Sequence, residues 1–292
     1  IPHAFYHNAF LVVSNGDEAK YGSLTSPWDH FYEWKRNDEE QKELQAKAML
    51  DGMFAKEKLL DLIESFVIFD ESKAGQTRKV VARNHQVLGV NRAVESVLKQ
   101  EGLKEQYPKE ERLRYRVATI EIPSKEKERP DTDEAAPAKK ERRKKAIELP
   151  LIERAHPDLG RLGVFWHTQG SGKSYSMVFF AEKVRRIVPG NFTFLVMTDR
   201  EDLDDQIYKT FVGTGVCNEK TPRANSAKAL EKILGENHRF VFTLIQKFRR
   251  DEIPKEPYST RDDIIVISDE AHRTQAGKLA RNMRIALPNA SF

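Results

Sequence analysis

A chain of 292 residues, 39% apolar and 32% charged, can bury one large core or two modest ones. It holds no apolar run of the roughly eighteen residues that a membrane-spanning helix needs. The net charge of +4 is concentrated in Ser124–Lys145, so charge alone does not argue for a nucleic-acid partner. A single cysteine, Cys217, excludes an internal disulfide and fits a reducing compartment such as the cytoplasm. Ile1–Phe10 lacks a charged-then-apolar leader. Without an initiator Met, the chain is expected to begin inside a longer protein.

In chain order, Phe10–Val13 is a short apolar run. The turn-forming Ser14-Asn15-Gly16-Asp17 comes next, and residues 18–24 are expected to supply the returning strand. Asp38–Ala48 is polar and helix-forming. Met49–Phe69 is more apolar, with Leu59, Leu60, Ile63, Phe66 and Val67 at helical spacing. Lys79–Lys99 reads as another helix, with Val87, Val90, Val94 and Leu98 on one face. Ser124–Lys145 has no Val, Ile, Leu, Met or aromatic residue and cannot offset the entropy of ordering. It is expected to be a mobile charged surface insertion, spanning about 104–150 with its flanks.

Beyond it the texture changes to short apolar strands alternating with helical patterns. Strands are expected at Leu162–Trp166, Phe192–Met197, Phe240–Ile245 and Ile264–Ser268. Helices are expected at Lys173–Ile187 (through Met177, Phe180, Val184 and Ile187), at Asp202–Phe211 (through Leu203, Ile207 and Phe211) and around Leu230–Leu234. Ile264–Ser268 is almost purely β-branched, as suits a parallel strand covered on both faces. The alternation predicts an open parallel α/β sheet, with ligands bound beyond the carboxyl ends of its strands.

The segment Trp166-His167-Thr168-Gln169-Gly170-Ser171-Gly172-Lys173-Ser174 runs from strand through a glycine-rich turn into a helix. Gly170 and Gly172 allow successive N–H groups to curl inward, and the helix adds its free N–H groups and positive dipole end. Thr168–Ser174 is therefore the expected ATP-phosphate cradle. Lys173 can reach the outer phosphates and Ser174 can place a hydroxyl on Mg²⁺. His167 stands where the general loop pattern has its first glycine. Downstream, Ile264–Ser268 ends in Asp269-Glu270-Ala271-His272. Asp269 would hold the Mg²⁺ shell and Glu270 would orient and deprotonate the attacking water, while His272 could couple the nucleotide to the rest of the machine. The remaining histidines show no metal-ligand spacing.

WHTQGSGKS (Trp166–Ser174), MTDREDLDDQ (Met197–Gln206), FTLIQKF (Phe242–Phe248) and ISDEAHR (Ile267–Arg273) resemble the motor subunit of type I restriction enzymes, within helicase superfamily 2. Asn8–Arg36 is similar to the segment joining that family's nuclease to its motor. The resemblance implies an ATP-driven translocase on double-stranded DNA that cleaves DNA when it stalls, partnered by a modification subunit and a specificity subunit. It implies a RecA-like P-loop domain at 76–292, preceded by the tail of an α/β nuclease domain at 1–36 and a helical linker at 37–75. It also implies that Arg83-Asn84-His85-Gln86 is the adenine-recognition segment, with Gln86 on the base edge, and that Thr198, Arg200, Thr243 and Gln246 line the DNA track.

The family's Asp and Glu-x-Lys nuclease set is not found between Ile1 and Phe69. The second RecA-like domain, which would supply an arginine to the γ-phosphate, would lie beyond Phe292. The 292-residue piece is accordingly expected to bind ATP weakly and hydrolyse it slowly or not at all. Two other readings stay open: another superfamily 2 helicase or remodeller, and a non-catalytic assembly scaffold.

Overall fold

The computed structural model describes every residue except Ile1, 38–44, Ala74, 124–143, Gln169, 249–256 and 270–276. The chain opens with an antiparallel meander of β1 (Leu11–Ser14), β2 (Ala19–Gly22) and β3 (Tyr32–Glu33). Its first turn is closed by Asn15 Oδ1, which accepts from the N–H groups of Asp17 and Glu18, while Gly16 supplies the left-handed φ of +104°. Tyr21 and Trp34 are buried beneath this meander, and the Tyr21 hydroxyl donates to the Ala82 carbonyl.

Helices α1 (Gln45–Met53) and α2 (Lys56–Ser65) come next, then the antiparallel pair β4 (Val67–Lys73) and β5 (Gln76–Val81). Two expectations need correction here. The α2 face that packs inward is Leu62 with the adjoining Phe66, whereas Leu60 and Ile63 are exposed. Lys79–Val81 is strand, not helix. The long helix α3 begins at Asn84 and runs to Gln106, and it buries Val87, Val90, Val94 and Val97 in place of the exposed Leu98. The two misassigned faces share a cause: periodicity identifies an amphipathic stretch, but tertiary packing decides which near-equivalent apolar residue turns inward.

Part of the expected insertion is regular structure. β6 (Leu113–Pro123) and β7 (Lys144–Arg154) form a continuous antiparallel ladder from Leu113↔Arg154 to Pro123↔Lys144. Of Ser124–Lys145, residues 124–143 lie outside the described residues.

The remainder is a three-layer α/β unit. Strands β8 (Thr193–Thr198), β9 (Phe240–Leu244) and β10 (Ile264–Ser268) form a parallel sheet in the order β10-β8-β9. Helix α4 spans Lys173–Ile187, α5 Glu201–Gly213, α6 Ala227–Gly235 and α7 Gly277–Ala286. Every residue of β8 is buried, so the strand reads as a continuous apolar run. Phe194 and Val196 pack with Val178, Phe179, Val184, Ile207 and Phe211 of α4 and α5. Leu195 and Met197 face Leu230, Leu234, Phe248, Met283 and Leu287 on the other side.

Leu162–Trp166, expected as a strand, is not laddered in that way. Its start is registered by two backbone bonds, from Phe292 N–H to the Gly160 carbonyl (3.0 Å) and from Leu162 N–H to the Phe292 carbonyl (2.7 Å). Ser291 in turn bridges Ile265 of β10 in parallel. Beyond Leu162 no neighbouring strand lies alongside the segment among the described residues, and Val164 and Trp166 are exposed. The direction is nonetheless fixed. Gly160–Leu162, Ser291–Phe292, β10, β8 and β9 all run the same way, so the strands present their carboxyl ends at one edge of the sheet.

Candidate nucleotide site and the carboxyl edge of the sheet

At that edge the Trp166–Lys173 connection enters α4. Gly170 and Gly172 take left-handed φ values of +78° and +84°, which a side chain would strain. Gly172 is the N-cap of α4 and has no side chain to cap it, so the first-turn N–H groups stay turned toward the loop. The Ser171 N–H donates to the Thr168 carbonyl (3.3 Å), curling the loop on itself. Thr168 and Gly170 are exposed, and Lys173 and Ser174 are half-buried. Gln169 lies outside the described residues. Among the described residues Lys173 makes no ion pair, and the buried Ser171 hydroxyl has no hydrogen-bond partner. An ammonium without an ion pair among the described residues, an unpartnered buried hydroxyl, two left-handed glycines and the N-terminus of a fifteen-residue helix together fit a bound polyphosphate.

Asp269 sits just past the end of β10, and its N–H donates to the carbonyl of Met197 on β8 (2.9 Å). That bond continues the sheet register by one residue and holds Asp269 at the edge from which the loop emerges. Ser174 and Asp269 are the residues that could hold Mg²⁺. Glu270 and His272 lie outside the described residues.

The N-terminus of α3 grips the loop from beneath. Gln86 is 3% exposed. Its Oε1 accepts from Arg83 N–H (2.8 Å), and its Nε2 donates to the Gly172 carbonyl (2.9 Å) and the Ser176 hydroxyl (3.2 Å). As placed in the structure, the amide is buried and engaged at both ends, closing a capping box on α3 and tethering the loop. Beside it, His85 Nε2 lies 3.2 Å from the Ser171 carbonyl. Because a carbonyl can only accept, Nε2 carries the proton. His85 and His167 stack edge to face with centroids 4.5 Å apart. Burial pushes His167 down to about 4, helped by the neighbouring His85 and Lys173. Burial also lowers His85, outweighing its bond to Ser171. Both rings are thus neutral at pH 7. Gly89 of α3 leaves room for the Phe165 ring, which a Cβ there would meet at 2.2 Å.

On the other side of α4, the Tyr175 hydroxyl donates to Asp70 Oδ2 (2.6 Å), which also pairs with Arg78. Deeper along the helix, Lys183 binds both Asp61 oxygens at 2.6 Å and Asn91 Oδ1 at 2.7 Å, joining α2, α3 and α4.

The expected DNA-facing residues divide. Arg200 and Gln246 are exposed, and Gln246 Nε2 donates to the Asp199 carbonyl (2.6 Å), linking two connections at the carboxyl edge. Thr198 and Thr243 are 0% and 2% exposed. Their hydroxyls turn toward the Arg200 and Leu244 carbonyls. Sequence reading missed His85 as a loop contact, along with Asp70, Arg78 and Tyr175. The hydroxyl–carboxylate bond spans 105 positions, and no local pattern announces it.

Residues 142–292 match the SWI2/SNF2 ATPase family. The chain belongs to that family. It is also similar over its whole length to endonuclease subunits of type I restriction enzymes. These include the HindI subunit of Haemophilus influenzae (34% identity over 100% of the chain and 25% of the relative) and the putative MjaIXP subunit of Methanocaldococcus jannaschii (30%, with the same coverage). A third relative is the C-terminal part of the putative MpnIIP subunit of Mycoplasma pneumoniae, 32% identical over 41% of the chain and 61% of the relative. The chain spans a quarter of the length of the first two. Among the described residues no helix is long and apolar enough to cross a membrane, and no group of three metal-ligating side chains occurs.

Proposed function

We propose that this chain is the ATP-binding part of a type I restriction endonuclease subunit, in which MgATP hydrolysis drives movement along double-stranded DNA before cleavage. What supports the reading is the left-handed Gly170–Gly172 turn at the N-terminus of α4 and the placement of Asp269 at the carboxyl end of β10, in a chain similar along its full length to such subunits. The remaining assignments rest on it: 1–36 as the end of the nuclease domain, 37–75 as linker, 76–292 as the first RecA-like domain, with modification and specificity subunits as partners in the cytoplasm.

Each residue has a distinct task. Backbone N–H groups of the loop and of α4 bind the phosphates, and the Lys173 ammonium offsets charge that builds on the outer ones. Ser174 and Asp269 would hold Mg²⁺, which supplies charge neutralisation between the outer phosphates. Glu270 orients water and takes its proton. Arg200 and Gln246 offer a guanidinium and an amide to DNA phosphates, contacts that position without reading sequence.

The test is ATP hydrolysis by the protein carrying this chain, measured with duplex DNA, single-stranded DNA and RNA. Stimulation by duplex DNA, lost in Lys173→Ala, is expected. Stimulation by RNA alone would move the chain to another class of motor, and hydrolysis indifferent to Lys173 would remove the site.

A further inference from the structure

The first turn of α4 is held from two directions. From one side, Gln86 and His85 hold the loop through backbone carbonyls. From the other, the β4–β5 hairpin reaches Tyr175, the residue immediately after Ser174. Tyr175 O–H donates to Asp70 Oδ2 (2.6 Å). Asp70 Oδ1 accepts from Ser72 N–H (2.9 Å). Arg78, directly across the hairpin from Asp70, pairs with Oδ2 and reaches the Tyr175 hydroxyl at 3.2 Å.

Asp70 is 1% exposed. Burying a carboxylate is costly, and an apolar replacement of similar volume is often as stable. An ion pair in such a place therefore specifies geometry more than it adds stability. The packing of α4 does not need it, because Val178, Phe179, Ala181 and Val184 already bury the inner face of the helix. The hairpin is itself anchored: Ser72 lies so close to Gly213 at the end of α5 that a Cβ there would meet the Ser72 backbone nitrogen at 2.7 Å. The group that grips Tyr175 is therefore fixed to the body of the domain.

We propose that Asp70, Arg78 and Tyr175 form a positioning cluster that sets the first turn of α4, and through it the placement of Lys173 and Ser174 on MgATP; this rests on the nucleotide-site reading above. The cluster touches no nucleotide. It acts through helix orientation, so its removal would cost most where Ser174 holds Mg²⁺.

Tyr175→Phe removes the hydroxyl and keeps the ring. The affinity of the chain for a fluorescent ATP analogue is measured with Mg²⁺ and with EDTA, alongside thermal melting and Lys173→Ala. The expected result is an affinity for the Mg²⁺ complex about three- to tenfold weaker, the size of one ordinary hydrogen bond, and a smaller gain in affinity from Mg²⁺. A lowered melting temperature with that Mg²⁺ gain unchanged overturns the proposal and leaves the cluster as a structural tie only. If Tyr175→Phe does not fold, Arg78→Gln is read in the same way, and an unchanged Mg²⁺ gain again overturns it. If Lys173→Ala binds nucleotide normally, the underlying site reading fails. If Lys173→Ala abolishes binding while Tyr175→Phe matches the parent, only the positioning role fails.

Discussion

Replacing Gln86 by alanine separates two roles that the same residue could hold at a nucleotide site. In the structure its amide closes the N-terminus of α3 and ties that helix to the phosphate loop. Truncation leaves Arg83 N–H without its cap, a loss of about 1 kcal/mol. It also removes two bonds donated to Gly172 and Ser176, each worth about 1 kcal/mol net. The Gly172 carbonyl keeps its bond from Ser176 N–H (3.1 Å), so one acceptor is not stranded. The sum is about 3 kcal/mol of stability, read as a fall in the midpoint of urea denaturation at unchanged slope. ATP and GTP share the triphosphate and differ at the base edge. Loosening the loop should therefore weaken both alike and leave their affinity ratio unchanged. An unchanged midpoint together with a collapse of the ATP-over-GTP preference would overturn this assignment and return Gln86 to the base.

Other expectations rest on particular contacts. Gly89→Ala should lower the melting temperature, by about 1–3 kcal/mol in free energy, because the new Cβ overlaps Phe165; at an open helix site the same change stabilises by up to about 1 kcal/mol, so a rise in the melting temperature would refute the contact. Lys183→Ala removes the ammonium that joins Asp61 and Asn91, while the partly exposed Asp61 carboxylate keeps its bond from the Ser65 hydroxyl, and should cost about 1–2 kcal/mol in chemical denaturation; a loss below about 0.5 kcal/mol would mean the pair is solvated. Burial alone would raise the Asp70 carboxyl, but bonds from Tyr175, Ser72 and Arg78 outweigh it and bring it down to about 2. Its stabilisation is therefore complete above about pH 4 and lost as pH falls toward 2, and Tyr175→Phe should shift acid unfolding upward in pH. His167, held near 4 in the folded chain, acts over a higher window. The unfolded ring binds a proton below about pH 6.5 and the folded one does not, so stability falls between pH 6.5 and 4. His167→Gln should flatten that slope in denaturation measured across this range.

The parallel α/β unit was legible because its signals are local. Lys173–Ile187 and Ile264–Ser268 carry their periodicity and β-branched content within themselves, and the structure gives both with the expected bounds. The glycine-rich turn into α4 was legible for the same reason: Gly170 and Gly172, which take the left-handed φ values, stand just before the helix start. Contacts between distant segments could not be read. Gln86 and Gly172 are 86 positions apart, and no property of a glutamine in sequence tells whether its amide will meet a base or a backbone carbonyl. The burial of Thr198 and Thr243 could not be read either. A hydroxyl at a strand end can face the edge or the interior, and the strict inward burial of β8 and β9 decides it. The ladder of β6 and β7 was hidden by the charged stretch between its arms, whose composition coloured the reading of Leu113–Pro123 and Ala146–Arg154.

Whether the Gly170–Ser174 loop and Asp269 serve one magnesium–triphosphate unit is tested most directly by calorimetric titration of the chain with ATP, with and without Mg²⁺, beside Lys173→Ala and Asp269→Asn. One saturable site is expected, weakened at least about tenfold by Lys173→Ala in both conditions and weakened by Asp269→Asn only when Mg²⁺ is present. Binding that survives both substitutions, or an Asp269→Asn effect that persists without the metal, would show that the two groups do not share a ligand.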